Sequence, residues 1–326
     1  MAVSDLTIPP PRTPPSRGFG ERLPLAHRLR PPVHFVLAGG GAHGAVQWGL
    51  LQALGETDIA PDAVIGTSIG ALGGAILAED PASAVSRLAY VWGQLDVSTL
   101  IGEKWFDTKM LKNAGRQALV DNEPERAALE QILQARTFAE LSLPFAAVST
   151  DLATGAAVAH DSGDLIRALL ASSAIPGLLP PVAINERPQV DGLASANLPC
   201  EIAVRRGAGT VIALDTGARP VPVDIASSQP KLLGRVIAVL AANQRREQLQ
   251  AAAREVPVVL LPTPTDLGGT LDFRGTMQAA AASYQLAREF LAALAGERKL
   301  RIGLHARPDD PSAAGLDEAY SWPVAA

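Results

Sequence analysis

Two short motifs bracketed by glycine carry most of the chemistry legible in this chain. In Gly66-Thr-Ser-Ile-Gly70 a single serine, Ser68, sits between two glycines. A Gly-x-Ser-x-Gly turn that follows a strand and opens a helix holds its serine in a strained, exposed position. The glycines are needed because a side chain at either position would collide with the turn or block the hydroxyl. Upstream lies Gly39-Gly-Gly-Ala-His-Gly44, a loop whose backbone can approach a ligand closely. Acyl transfer needs both parts, because the tetrahedral intermediate places negative charge on the former carbonyl oxygen and backbone N–H donors stabilise it. The pattern Gly39-x-Gly41-x-x-Gly44 also fits a dinucleotide fingerprint. That reading wants an acidic residue at the carboxyl end of the next strand to hold the ribose hydroxyls. Here that strand ends in the serine motif and the nearest acid, Asp62, stands at its start, so acyl transfer is the better reading.

A serine is a poor nucleophile without a proton acceptor. A conventional triad in the chain order Ser, acid, His is Ser68, Asp215 and His305. Against it, His305 lies just before Ala306-Arg307-Pro308 in a tail that reads as loose, and one strand precedes the serine turn where an α/β-hydrolase has several. His27, His34 and His160 read as solvated or structural, and His43 lies inside the glycine loop, better placed to meet a substrate anion than to act as base. On residue types alone the base stays open between this triad and an aspartate elsewhere.

The elements that must position these residues alternate. Strands are expected at 34–38, 62–67, 145–150, 156–160, 210–215 and 257–261, with a hairpin at 182–184 and 189–190. Helices are expected at 45–56, 68–78, 165–172, 231–255 and 275–296, and 81–140 reads as mostly helical. Strand-helix alternation implies a mostly parallel central sheet covered on both faces, a three-layer α/β sandwich. Both glycine motifs then lie at the carboxyl ends of adjacent strands, the usual place for sites in such sheets.

The chain has 326 residues, 48% of them hydrophobic, one cysteine and a formal charge of −5. Cys200 alone excludes a disulfide scaffold and a multi-cysteine zinc site, and suits a reducing compartment. The acidic balance argues against nucleic-acid binding. Residues 1–32 hold five arginines against Asp5 and Glu21, with eight prolines, and read as a disordered arm outside the fold. No apolar run is long enough to cross a bilayer. The expected organisation is an arm at 1–32, one catalytic domain at 33–303 and a loose tail at 304–326.

Five blocks in order resemble the patatin-like phospholipase family: the glycine loop, the Ser68 motif, Thr150-Asp-Leu-Ala-Thr-Gly155, Ala171-Ser-Ser-Ala-Ile-Pro176 followed by Pro180-Pro-Val182, and Asp191-Gly192 followed by Asn197-Leu-Pro199. The resemblance implies the family's fold and a serine-aspartate dyad. Ser68 is then the nucleophile, Asp191 the base, and the amides at Gly39, Gly40, Gly41 and Ala42 the oxyanion hole. His43, Gly44, Gly66 and Gly70 line the substrate. The loop carries His43 where many members have arginine or lysine, and Leu193 is bulkier than the glycine or alanine usual there.

These readings converge on a serine acyl hydrolase cleaving a lipid ester, of phospholipase A, lysophospholipase or esterase type. No metal or organic cofactor is implied. A non-catalytic lipid- or acyl-binding module is the rival class. Residues 101–112 set Lys104, Lys109 and Lys112 beside Trp105, Phe106 and Met110, a composition suited to an interfacial surface. The expected setting is cytoplasmic, with peripheral contact at the inner membrane face.

Overall fold

The computed structural model describes residues 22–94, 121–217 and 229–307, apart from 266, 271 and 298. The lysine and aromatic patch at 101–112, most of the arm and the last nineteen residues lie outside them. The chain begins with β1 (Val33–Leu37), α1 (Ala45–Leu54), β2 (Ala63–Thr67), α2 (Ile69–Glu79), α3 (Ala84–Gln94) and α4 (Glu123–Ile132). There follow β3 (Phe145–Asp151), β4 (Ala157–His160), α5 (Leu165–Ser173), β5 (Val182–Ile184) and β6 (Arg187–Asp191). The last elements are α6 (Cys200–Arg205), β7 (Thr210–Leu214), α7 (Gln229–Ala253), β8 (Pro257–Leu260), α8 (Thr276–Ala295) and β9 (Gly303–His305).

The strands form one sheet in the order β5-β6-β3-β2-β1-β7-β8-β9, with β4 also paired to β3. From β3 to β9 every neighbour runs parallel, and β4, β5 and β6 supply an antiparallel flank. Side chains alternate faces along a strand, and here both faces are apolar. Phe35 and Leu37 join a core with α1, α2, α5 and α8, whereas Val36 and Ala38 join a second core with α6 and the end of α7. This is the three-layer α/β sandwich that the alternation of elements implies.

Three boundaries differ from the sequence reading. The segment 22–32 is part of the body: Leu25 and Leu29 flank a helical turn and bury completely or nearly so. Backbone N–H groups of Leu25 and Ala26 donate to Asp58 Oδ1 at 2.6 and 2.7 Å. Burying two leucines contributes about 1.5–3 kcal/mol each, enough to overcome the local bias of the arginines and prolines. At the other end, residues 303–305 form the edge strand β9, with Leu304 and Ala306 buried, so 304–306 belong to the domain and not to a loose tail. Three residues are too short a run to announce a strand by alternation. Finally, residues 133–140 hold only a single helical turn, Phe138–Glu140, within a stretch expected to be mostly helical.

Candidate active site

Ser68 stands at the turn from β2 into α2 with φ of 54°, backbone strain that only the surrounding packing sustains. The packing leaves no room for side chains beside it. A Cβ on Gly66 would meet the Gly70 carbonyl oxygen at 2.3 Å, and one on Gly70 would meet the carbonyl oxygens of Ala38 and Leu37 at 2.5 and 2.6 Å. Gly66 and Gly70 are thus packing requirements of the turn. Gly44 likewise abuts Ile69 and Trp92. Ser68 itself remains partly exposed.

Two bonds tie Ser68 and Asp191 to one helix end. The Ser68 N–H donates to Ser172 Oγ at 2.9 Å, and Ser172 Oγ donates to the Val148 carbonyl at 2.6 Å. The Asp191 N–H donates to the Ala174 carbonyl at 2.9 Å, just past the end of α5. Asp191 sits opposite Ser149 in the β3–β6 pairing, and Thr150 Oγ1 donates to its carbonyl at 2.9 Å. Its side chain is fully buried. Oδ1 accepts from the Leu193 N–H at 2.8 Å, while Oδ2 has no hydrogen-bond partner. Burial pushes the Asp191 pKa up to about 7, against the Leu193 N–H and the nearby Ser68 hydroxyl, which both favour the carboxylate. The hydroxyl is thus close enough to favour the ionised carboxyl.

A second buried carboxyl stands beside this pair, and the sequence reading missed it. Glu125, on the first turn of α4, is bonded by the Ser173 hydroxyl at Oε1, while Oε2 is buried without a partner. Desolvation pushes its pKa up to about 8; Ser173 opposes this and the charge of Asp191 adds to it. Nothing in the local sequence Glu-Pro-Glu-Arg marks Glu125, because its neighbourhood is assembled by the docking of α4 on α5. Ser172 had a signal, its position inside the Ala171–Pro176 block.

The glycine loop is pinned on both sides. Gly39 donates its N–H to the Asn197 carbonyl at 3.0 Å, and its own carbonyl accepts from Thr216 Oγ1 at 3.0 Å. Gln47 Nε2 donates to the carbonyls of Ala38 and Leu214 at 2.8 and 2.9 Å, holding the strand ends under the loop. Ala42 donates to the Thr270 carbonyl at 2.7 Å. Two of the four amides expected in an oxyanion hole, those of Gly39 and Ala42, are therefore engaged inside the protein. The N–H groups of Gly40 and Gly41, both partly exposed, make no hydrogen bond among the described residues. The loop is close to Ser68, since a Cβ on Gly39 would come within 3.2 Å of Ser68 Cβ.

His43 is buried, and neither ring nitrogen makes a hydrogen bond. Burial lowers its pKa, although the carbonyls of Gly268, Leu267 and Gly269 favour the protonated ring. Burial thus disfavours the protonated ring, the form that would ion-pair with a substrate anion.

The alternative triad does not assemble. His305 pairs in register with Val259, Val259 with Ile212, Ile212 with Phe35, and Phe35 with Val64. Four strand spacings of about 4.8 Å put it roughly 19 Å across the sheet from β2. Its Nε2 lies 2.9 Å from the Arg301 carbonyl, and Asp215 pairs with Arg245 at 3.2 Å. Among the described residues no cluster of three or more His, Cys, Asp or Glu is arranged to hold a metal ion, and no helix is long and apolar enough to cross a membrane.

A parallel α/β sheet that presents a serine on a strained strand-to-helix turn, with a buried aspartate beside it and a glycine loop in front, defines a class of α/β proteins with a serine elbow. Within that class, the sequence profile of the patatin-like phospholipases matches residues 35–204, just over half of the chain, and the protein belongs to that family. Patatin-like phospholipase domain-containing protein 7 of Mus musculus is 34% identical over 193 residues, covering 57% of this chain and 14% of that protein. An uncharacterized NTE family protein of Mycobacterium tuberculosis is 34% identical over 212 residues, covering 64% of this chain and 34% of its own length. The chain therefore spans a minor part of these relatives. Among solved structures, VipD from Legionella pneumophila superposes with a TM-score of 0.45 at 14% identity, covering 80% of this chain and 66% of that one.

Proposed function

We propose that the protein hydrolyses a carboxylic ester of a lipid through Ser68 and Asp191. The reading rests above all on a fully buried Asp191, one oxygen of which has no partner, with the Ser68 hydroxyl near enough to favour its ionised form. Ser68 Oγ attacks the ester carbonyl while Asp191 takes its proton. The N–H groups of Gly40 and Gly41 hold the oxyanion. Collapse expels the alcohol, which receives the proton from Asp191 and leaves an acyl group on Ser68. Water then gives its proton to Asp191, attacks the acyl-enzyme and releases the fatty acid, and the proton returns to Ser68. A lipid substrate is supported by the family and by the relatives named phospholipases. A pKa near 7 suits the base, which must be ionised to accept and neutral to donate.

The test is hydrolysis of p-nitrophenyl butyrate and lysophosphatidylcholine by the wild type and by Ser68→Ala, Asp191→Asn and His305→Ala, beside labelling by a fluorophosphonate. Loss with the first two, retention with the third and labelling that needs Ser68 are expected. Loss with His305→Ala would overturn the dyad. Absence of labelling in the wild type would favour a lipid-binding module without turnover.

A further inference from the structure

The long helix α7 joins the core through its C-terminal turns. Its last turns bury Leu249, Ala252 and Ala253 against the sheet, but between residues 235 and 244 no side chain is buried. The unburied part is nevertheless apolar. Leu232, Val236 and Leu240 are 36, 54 and 58% exposed, half of the six large exposed hydrophobics among the described residues. Spaced four apart, they form a single stripe on one helix face.

Two contacts fix where this stripe lies. Arg245 pairs with Asp215 immediately after β7, and Gln244 Nε2 donates to the Ala194 carbonyl at 2.6 Å, in the turn that follows Asp191. Both partners stand at the carboxyl edge of the parallel strands, where Ser68 also opens. The fifteen residues 229–243 therefore run up to about 22 Å beyond the catalytic edge at 1.5 Å per residue.

The charges of this half are all of one sign. No acidic residue occurs from 225 to 246, while Lys231, Arg235, Arg245 and Arg246 do, and Arg245 is engaged by Asp215. Arg235 keeps Nη1 shielded from water and without a hydrogen-bond partner. A shielded, unpaired guanidinium nitrogen calls for an anionic acceptor.

We infer that the first half of α7 is a docking surface for an anionic phospholipid bilayer, with Leu232, Val236 and Leu240 entering the acyl boundary and Arg235 meeting headgroup phosphate. An apolar stripe with cations beside it is what interfacial binding requires. A second copy of the chain fits less well, because packing stripe on stripe brings Arg235 of both copies together with no carboxylate on either helix half to separate them. The negative net charge of the body does not oppose docking strongly, since charges farther than a Debye length of about 8 Å from the surface are screened. Because the stripe projects past the edge at which Ser68 opens, docking would deliver lipid to the site, and in that respect the inference extends the proposed function.

The test is partitioning of the full chain onto vesicles of phosphatidylcholine with and without about a quarter phosphatidylglycerol. Measured beside it are the double variant Val236→Glu/Leu240→Glu, Arg235→Ala and Ser68→Ala. The wild type should bind the mixed vesicles at least about tenfold more tightly than the double variant, and binding should weaken with salt. Arg235→Ala should lose affinity for the mixed vesicles alone. The double variant should keep its melting temperature and its rate on a short soluble ester. Equal binding by wild type and double variant, no binding by the wild type, or a wild-type dimer that the double variant splits would each overturn the inference. Ser68→Ala separates the two readings: if it hydrolyses ester like the wild type while vesicle binding persists, only the catalytic proposal falls.

Discussion

Replacing Asp191 with asparagine should remove hydrolysis and, in alkaline buffer, make the folded protein more stable. Burial raises the Asp191 pKa from 3.8 to about 7. A raised carboxyl pKa means that the folded state prefers the protonated form. Its stabilising contribution is complete below pH 4 and is lost as pH rises through 7. At about 1.4 kcal/mol per unit, the wild type loses about 3 kcal/mol between pH 5 and the plateau above 7, a loss the amide escapes. The Leu193 N–H can still donate to the asparagine oxygen, while the new NH2 group must find an acceptor where Oδ2 had none. That need costs about 1–3 kcal/mol at every pH, so the difference between two pH values isolates the ionisation. Removing the Asp191 charge also lets Glu125 ionise more easily, which widens the gap in the same direction. Urea unfolding at pH 5 and pH 9 should show the advantage of Asp191→Asn over wild type growing by about 3 kcal/mol. In parallel, kcat/KM of the wild type should climb through pH 7, because only ionised Asp191 accepts the Ser68 proton. A stability gap equal at both pH values, or a flat rate profile from pH 5 to 9, would refute the reasoning.

Three further outcomes follow from the same geometry. Glu125→Gln should gain about 4 kcal/mol of relative stability between pH 5 and 10, read by urea unfolding, since its carboxyl titrates near 8. It should leave the acid limb of kcat/KM near 7, because Asp191 ionises while Glu125 is still neutral. In Gly39→Ala the new methyl falls 2.6 Å from Asn197 Oδ1 and pushes the loop from Ser68, so kcat should drop about 10²-fold while the melting temperature falls little. Ser172→Ala leaves the strained Ser68 turn without its hydrogen-bond acceptor, which should cost about 1–3 kcal/mol in unfolding free energy together with a lower kcat.

What could be read ahead of the fold was local in the chain. The strand-to-helix turn at Ser68 and the glycine loop each depend on residues within a few positions, and the alternation of elements implies the parallel sheet. Leu25 and Leu29 were hidden because their arginine- and proline-rich surroundings describe an unpacked chain, and two well-spaced leucines outweigh that bias only when a core is there to receive them. The short strand β9 was hidden for a related reason: an edge strand takes its register from a neighbour, here 46 residues earlier. His43 looked like an anion contact because a histidine in a glycine loop is ordinarily wet, and only its burial in the folded chain disfavours the charged ring.

By itself, then, the sequence determined the layered α/β class and the serine turn, since hydrophobic period and glycine sterics act over a few residues. Its five ordered blocks also pointed to Asp191 by resemblance. Tertiary structure decided everything that depends on distance through space. It set His305 four strands from the serine, engaged the Gly39 and Ala42 amides while leaving those of Gly40 and Gly41 without partners among the described residues, brought Glu125 beside Asp191, and left Leu232, Val236 and Leu240 of α7 exposed near the edge at which Ser68 opens. Burial and electrostatic coupling fall off with spatial separation, and residues 66 positions apart in the chain, such as Glu125 and Asp191, become neighbours only when the sheet and its helices are assembled.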